Sequence, residues 1–267
     1  MQFKAASLFV LPTIPKYAII EKSFTAGRDS MEGKAQTWKG LTGNQLKMIA
    51  LAAMTCDHAG RQLFPEWTIL QIIGRLAFPI FAYMIAEGCQ YTRNRSRYLL
   101  TMAGLAATCQ AVYFLAMGSL YQCILVTFSL SVGLIYALEG AIKRKTAGSI
   151  IFAVAVCAGI FFVSVILPEL LDTTDFAIDY GLCGILLPVS VYFAKGKAGK
   201  LLSAAIFLIL LGLDLGGIQW YALTAFVLLW MYNGQRGKWR LKNLFYVYYP
   251  LHLAVIYGIY MVQDLFF

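Results

Sequence analysis

The sequence predicts an all-α, polytopic membrane helix bundle of about nine transmembrane helices, with the N-terminus cytoplasmic and the C-terminus outside. Of its 267 residues, 60% are hydrophobic and only 13% are charged, whereas a soluble domain has roughly 25% charged residues. The apolar residues also form nine runs, each long enough to cross about 30 Å of hydrocarbon as a helix. These runs lie near residues 46–64, 69–90, 98–117, 122–140, 147–167, 178–194, 200–216, 217–233 and 244–263.

Lysine and arginine predict the orientation of the bundle. Nearly all of these 22 residues precede the first run or follow an even-numbered run, which places them on one side of a nine-helix bundle. The positive-inside rule makes that side cytoplasmic. The net charge of +9 is therefore explained by membrane topology, and no nucleic-acid partner is predicted.

Residues 1–40 precede the first run and are predicted to form a cytoplasmic N-terminal tail, either disordered or an upstream extension. The apolar stretch 5–12 is short, is interrupted by prolines, and has no convincing small-residue cleavage site, so it does not predict a cleavable signal. Met31 opens the segment MEGKAQTWKG, where translation could also start. Residues 41–267 are predicted to form one transmembrane domain.

Both histidines lie in apolar runs, His58 after Asp57 in the first and His252 in the last. Ionisable groups are costly within a membrane and mark functional sites there. With a rise of 1.5 Å per residue, these three side chains and Arg75 lie within about two helical turns of the midplane, which permits a shared cavity. A structural interpretation stays open, because Asp57 can pair with Arg61 or Arg75 and His252 can donate to a carbonyl on a packed face.

The second run predicts a kinked helix that lines a pocket. Pro79 leaves the carbonyl of Arg75 without its helical partner, and Gly74 permits close approach of a neighbouring helix. Tyr83 and Glu87, one turn apart, lead from this pocket to the cytoplasmic rim.

Three arginines follow this helix, Arg93, Arg95 and Arg97. They are explained as a topology signal, and they would also suit the phosphates of a nucleotide. At the outer face of the sixth run, Asp179 and Tyr180 are candidate site residues, although Asp179 also fits an interfacial helix cap.

The remaining polar and sulfur-containing residues predict no further site. The six cysteines are scattered singly through apolar runs without CxxC spacing, which favours buried thiols over disulfides or a metal site. Glu139, near the end of a run, is predicted to be solvated.

The segment LKMIALAAMTCDHAG, followed by IIGRLAFPIFAYMIAEGCQYTRNRSRYL, resembles the TraX family. The closing FYVYYPLHL is similar to the last-helix signature of that family and to the Tyr-Pro-x-His pattern of many membrane acyltransferases. The resemblance runs from about residue 41 to the C-terminus. The matching residues are Asp57, His58, Gly74, Arg75, Phe78, Pro79, Phe81, Glu87, Gly88, Thr92, Arg93 and Tyr98.

The resemblance implies an acetyltransferase of the bacterial cytoplasmic membrane, with cytoplasmic acetyl-CoA as the acetyl donor. The expected acceptor lies at or beyond the outer face and is a pilin N-terminus, a cell-surface glycan or a lipid-linked sugar. The expected catalytic residues are His58, Asp57, Arg75 and His252. The expected donor-binding residues are Glu87, Arg93, Arg95, Arg97 and Tyr98, and the expected acceptor-binding residues are Tyr83, Asp179 and Tyr180.

In this mechanism His58 is a general base or carries the acetyl group transiently, and Arg75 or His252 stabilises the oxyanion. Adjacent helix residues diverge by about 100°, so the orienting carboxylate for His58 comes from another span, or Asp57 faces Arg75 instead. Two other functions stay open. One is a secondary transporter or proton-coupled carrier that uses the buried Asp, His and Arg side chains, and the other is a noncatalytic assembly factor.

Overall fold

The structure, a computed structural model, describes residues 40–238 and 242–266. Its α-helices are α1 (Gly43–Gln62), α2 (Thr68–Gly74), α3 (Ala77–Tyr91), α4 (Arg95–Met117), α5 (Ile124–Arg144), α6 (Ala147–Phe161), α7 (Leu167–Leu170), α8 (Gly181–Phe193), α9 (Gly196–Leu215), α10 (Ala225–Trp230) and α11 (Lys242–Phe266). A π-helical turn, Phe162–Ile166, joins α6 to α7, and a 3-10 helix, Gly217–Thr224, precedes α10. The predicted tail lies outside the described residues except for Gly40.

Several of these helices are suited to a lipid bilayer. Five stretches within the described ranges are long and apolar enough to cross a membrane: Thr68–Tyr91, Arg95–Leu115, Ile124–Arg144, Ala147–Leu170 and Gly196–Leu215. Two more apolar helices, Gly181–Phe193 and Gly217–Trp230, are shorter. The all-helical membrane class is therefore confirmed, whereas the count of nine spans and the sides of the two termini stay predictions.

The second predicted span is broken into α2 and α3 at Arg75 and Leu76. Pro79 has no backbone N–H to donate to the carbonyl of Arg75, so the helix is interrupted where the sequence predicts a kink. The last residue of α2, Gly74, lies directly against Asp57 of α1, and a methyl group at Gly74 would overlap the Asp57 side chain. The break therefore brings the Arg75 side chain next to α1.

The core forms two apolar clusters. The larger joins α1, α3 and α9 with neighbouring helices and includes the fully buried Leu46 and Ile80. The smaller is centred on α5 and α8 and includes Val132 and Ile185, which have no exposed surface. The last helix, α11, packs against α1 and α4, and this contact places His252 beside α1.

The segment after α10 is fastened to the start of α1 by backbone hydrogen bonds. The N–H of Gly43 donates to the carbonyl of Gln235 at 2.8 Å, and the N–H of Asn44 donates to that of Arg236 at 3.0 Å. These bonds satisfy two amides of the first helical turn, which have no partner within the helix. They also fix the position of Arg236 relative to α1.

Candidate functional site: a histidine pair beside a deep cavity

The two histidines meet between α1 and α11. The ring centroids of His58 and His252 are 5.2 Å apart, with an interplanar angle of 58°. Tyr248 stacks on His252 at 5.4 Å, and Tyr249 contacts it edge-on at 5.2 Å. His252 is buried, with 6% of its surface exposed, and His58 is half-buried. These four residues are called the histidine cluster below.

A backbone contact defines the tautomer of His252. Its Nδ1 lies 3.0 Å from the carbonyl oxygen of Tyr248. Because a carbonyl can only accept, Nδ1 carries the proton and donates it, which leaves the lone pair on Nε2. This Nε2 is buried and has no hydrogen-bond partner in the described part of the chain. A neutral imidazole with a free, oriented nitrogen is suited to act as a general base.

Asp57 belongs to a separate group of contacts. Its carboxylate pairs with the Arg75 guanidinium and, at 3.1 Å, with Nε of Arg61. Nη1 of Arg75 also donates to Oε1 of Gln219 at 3.2 Å. We call these four residues the Asp57 network. Both ion pairs considered from the sequence are present, and the carboxylate is directed at arginines rather than at His58.

Asp179 and Tyr180 lie close to the Asp57 network. The hydroxyl of Tyr121 donates to Oδ1 of Asp179 at 2.8 Å, and Asp179 interacts electrostatically with Arg75. Tyr180 has a φ of 59°, in the left-handed region, just before α8. Its ring stacks on Phe78 of α3 with centroids 3.9 Å apart. The structure thus brings two of the three predicted acceptor-binding residues, Asp179 and Tyr180, near Arg75.

The loops near Asp179 are held together by another carboxylate. Asp175 accepts hydrogen bonds from the hydroxyl of Ser119 and, at 2.9 Å, from the N–H of Leu120. These two donors stabilise the charged form and lower the pKa of the Asp175 carboxyl. The contact connects the loop after α4 to the loop before α8.

A cavity of about 640 Å³ lies among α1, α3, α4, α5 and α11, within the range of roughly 300–1,000 Å³ that is typical of ligand pockets. Its lining on α4 runs from Tyr98 to Leu105, about 10 Å along the helix axis. Tyr249 lines the cavity and also contacts His252. One side chain therefore connects the cavity to the histidine cluster. The polar or charged lining includes Asn44, Lys47, Glu87, Thr92, Tyr98 and Arg236.

Two of the predicted donor-binding residues, Glu87 and Tyr98, line this cavity. The Glu87 carboxylate is buried and pairs with Lys200 of α9. Tyr83, predicted to bind the acceptor, is 2% exposed and packs edge-on against Tyr232, which lines the cavity. Its hydroxyl therefore lies in the core between α3 and the segment after α10.

The three arginines predicted to bind the donor are not among the residues that line the cavity. Arg93 and Arg97 are exposed, and Arg95 donates to Glu139 at 2.8 Å. Glu139 was expected to be solvated, and this is wrong. It is buried where α4, α5 and α8 meet, and it also accepts from Tyr192 at 2.7 Å and pairs with Lys143.

Five residues of the site were missed by reasoning from the sequence. Lys47 and Arg236 were assigned only to the topology signal, and Tyr248 and Tyr249 were noted only within the last-helix signature. Gln219 was also missed, although an amide in an apolar run is itself a signal. Within the described ranges, no group of three or more His, Cys, Asp or Glu side chains could hold a metal ion.

The fold and the site define a multi-pass helical membrane protein with buried ionisable groups beside a cavity. The chain belongs to the TraX family. The model of this family, described as TraX protein, matches residues 42–260. The resemblance drawn from the sequence is thus confirmed. The family match includes the histidine cluster, the Asp57 network and all the residues that line the cavity.

Two relatives extend this finding. A probable fimbrial assembly protein, FimC of serogroup H1, from Dichelobacter nodosus is 25% identical over 233 residues, which covers 79% of this chain and 93% of that protein. An uncharacterized protein of Rickettsia prowazekii (strain Madrid E) is 55% identical over 55 residues, which covers 21% of this chain and 22% of that protein. No solved structure matches the chain.

Proposed function

We propose that this protein is an acetyltransferase of the bacterial cytoplasmic membrane that uses acetyl-CoA as the acetyl donor. The proposal rests on one observation: a deep cavity is lined by Tyr249, and Tyr249 contacts a histidine whose Nε2 is buried and unpartnered. An unsatisfied buried polar atom costs about 1–3 kcal/mol. A reactive role for Nε2 explains why this cost is retained.

The shape and lining of the cavity suit a long thioester. Polar and charged side chains such as Asn44 and Arg236 lie near the start of α1, and apolar side chains such as Leu51, Met102 and Phe128 line the deeper part. Coenzyme A has the matching polarity, with charged phosphates at one end and an uncharged arm that carries the acetyl group. Bound in this way, the thioester would approach Tyr249.

In the proposed reaction, Nε2 of His252 removes a proton from the amine or hydroxyl of the acceptor. The acceptor nitrogen or oxygen bonds to the acetyl carbon, the carbon–sulfur bond breaks, and the departing thiolate takes the proton from the imidazolium. The ring centroid of His58 lies 5.2 Å from that of His252, so His58 can donate a hydrogen bond to the oxyanion. The Asp57 network keeps α1 and α2 in register, so that His58 holds this position.

The charge distribution supports opposite sides for the two substrates. The positive-inside rule places the start of α1, with Lys47 and Arg236, on the cytoplasmic side, where acetyl-CoA is available. Asp179 and Tyr121 then lie toward the outer side. The name of the Dichelobacter nodosus relative, a probable fimbrial assembly protein, supports a pilus or fimbrial subunit as the acceptor.

The test uses membrane vesicles that contain the wild-type protein or a variant, supplied with acetyl-CoA labelled in the acetyl group. Wild-type vesicles should incorporate the label into membrane or pilus material and release free coenzyme A. His252→Ala should lower this rate by about 10²- to 10⁴-fold, the usual contribution of a general base. Tyr260→Phe, a change on α11 outside the histidine cluster, is the matched control and should leave the rate unchanged.

Two outcomes would contradict the proposal. Equal incorporation by the wild type and His252→Ala would exclude His252 as the base. The protein would be a carrier if it transfers no acetyl group but shows solute or proton flux into proteoliposomes, and if His252→Ala abolishes that flux.

A further inference from the structure

Two cations, Lys47 and Arg236, line the cavity near the start of α1. Lys47 lies one turn into α1, and Arg236 lies in the segment that is hydrogen-bonded to the first turn of that helix. Both side chains belong to the lining of the cavity. Their charges are close enough to act on each other. Because like charges repel, this arrangement is favourable when an anion lies between them.

Two further cations near the cavity are paired with carboxylates. Lys200 pairs with Glu87, which is the carboxylate that lines the cavity. Arg95 pairs with Glu139 in a separate cluster. Arg236, in contrast, forms no ion pair within the part of the chain that the structure describes. The wall of the cavity at Arg236 therefore has a positive charge that no carboxylate of the described residues neutralises.

We propose that Lys47 and Arg236 bind the phosphate groups of the acyl donor and hold its uncharged arm in the cavity. This inference rests on the proposed function and assigns donor recognition to residues other than Arg93, Arg95 and Arg97. A guanidinium offers paired N–H donors to phosphate oxygens, and an ammonium offers a compact point charge. The backbone bonds from Gly43 and Asn44 hold the main chain at Arg236 beside the first turn of α1, so both side chains start from fixed backbone positions.

The first measurement is the steady-state rate with two donors, acetyl-CoA and the acetyl thioester of N-acetylcysteamine, which carries no phosphate. With acetyl-CoA, Lys47→Gln and Arg236→Gln should each raise KM by about tenfold and leave kcat within about twofold, since a charge-assisted hydrogen bond is lost outside the reacting centre. With the truncated thioester, neither variant should differ from the wild type.

Lys195→Gln and Arg144→Gln are the matched controls. They remove one lysine and one arginine that are exposed, lie outside the cavity and follow other helices on the predicted cytoplasmic side. Their KM for acetyl-CoA should equal that of the wild type. The inference is overturned when Lys47→Gln and Arg236→Gln leave KM unchanged, or when Arg93→Gln and Arg97→Gln raise it instead.

Binding of free coenzyme A, measured by equilibrium dialysis with purified protein, distinguishes the two proposals. If the wild type binds coenzyme A but transfers no acetyl group, and both Lys47→Gln and Arg236→Gln lose this binding, the phosphate site is supported and the transferase is refuted. If the wild type transfers acetyl groups and both variants bind coenzyme A as the wild type does, the transferase is supported and the phosphate site is refuted. A phospholipid presents the same phosphate chemistry. Co-purification of phosphatidylglycerol that is lost in both variants, with no coenzyme A binding by the wild type, would assign the site to lipid and overturn the inference.

Discussion

Asp57 and His58 are neighbours on α1, yet they have opposite surroundings. The Asp57 carboxylate pairs with two arginines, and the buried Arg75 has an additional amide partner in Gln219. His58 makes no hydrogen bond or ion pair within the described residues and contacts His252. The Nε2 of His252 also lacks a partner. One turn of α1 thus carries a carboxylate with two ion-pair partners on one face and a histidine that makes no hydrogen bond within the described residues on another.

The difference separates structural from chemical roles. A buried charge that has all its partners joins helices, and removing one partner leaves the other charge unpaired at high cost. A buried nitrogen without a partner adds no hydrogen bond between helices, but it retains a lone pair for a reaction. We therefore expect the Asp57 network to determine stability and the histidine cluster to determine activity.

The largest effect on stability is expected for Asp57→Ala. This change leaves the Arg75 guanidinium buried without its carboxylate, and loss of one partner of a buried ion pair costs about 3–5 kcal/mol. Thermal denaturation of the purified protein in detergent should show a large fall in Tm. Asp172→Ala, which removes an exposed carboxylate in the loop before α8, should have almost no effect. Similar Tm values for the two variants would mean that the network is not structural.

A smaller effect is expected for Gly74→Ala. The added methyl group would overlap the Asp57 side chain and push α2 away from α1, and overpacking of this kind costs about 1–3 kcal/mol. The control is Gly104→Ala in α4, where a methyl group meets no other atom within 4 Å. That change should instead stabilise the helix by about 0.5–1 kcal/mol. Effects of the same sign on Tm would contradict the close contact between α1 and α2.

The smallest effect on stability is expected for His58→Ala, about 1 kcal/mol or less, because the ring is half-buried and makes no hydrogen bond within the described residues. Acetyl transfer by the same variant should fall by about 10²-fold or more, as when an oxyanion donor is removed. The two measurements are Tm and the transfer rate on one purified sample. A variant that loses Tm and activity in parallel would place His58 with the structural residues.

Part of the site could be predicted from local pattern. Pro79 and Gly74 predicted the break before α3 and the close helix contact, because a missing N–H and a missing side chain act within one or two turns. Pairing of Asp57 with Arg61 or Arg75 was an interpretation that the sequence left open, and the structure contains both pairs. The network with Gln219 was not predicted, since the 3-10 helix that carries this amide approaches α2 only in the folded bundle.

The cations that line the cavity could not be recognised from local pattern. The sequence favoured Arg93, Arg95 and Arg97 because they cluster in one short segment, but the cavity lies beside Lys47 and Arg236. These two are far apart in the chain and are joined by backbone hydrogen bonds between the start of α1 and the segment after α10. Glu139 was expected in solvent for a similar reason, since its partners on α4 and α8 are distant in sequence.

The sequence by itself determined the helical membrane class, the family, the break near Arg75 and the two histidines that a membrane segment retains at a cost. These properties follow from hydropathy, helix-breaking residues and the desolvation of charge, all of which act locally along the chain. The tertiary structure alone decided that His58 meets His252, that Nε2 of His252 is unpartnered, and which cations line the cavity. Such contacts depend on how the faces of distant helices pack. The helical period shows which residues share a face of one helix, but it does not show which other helix that face contacts.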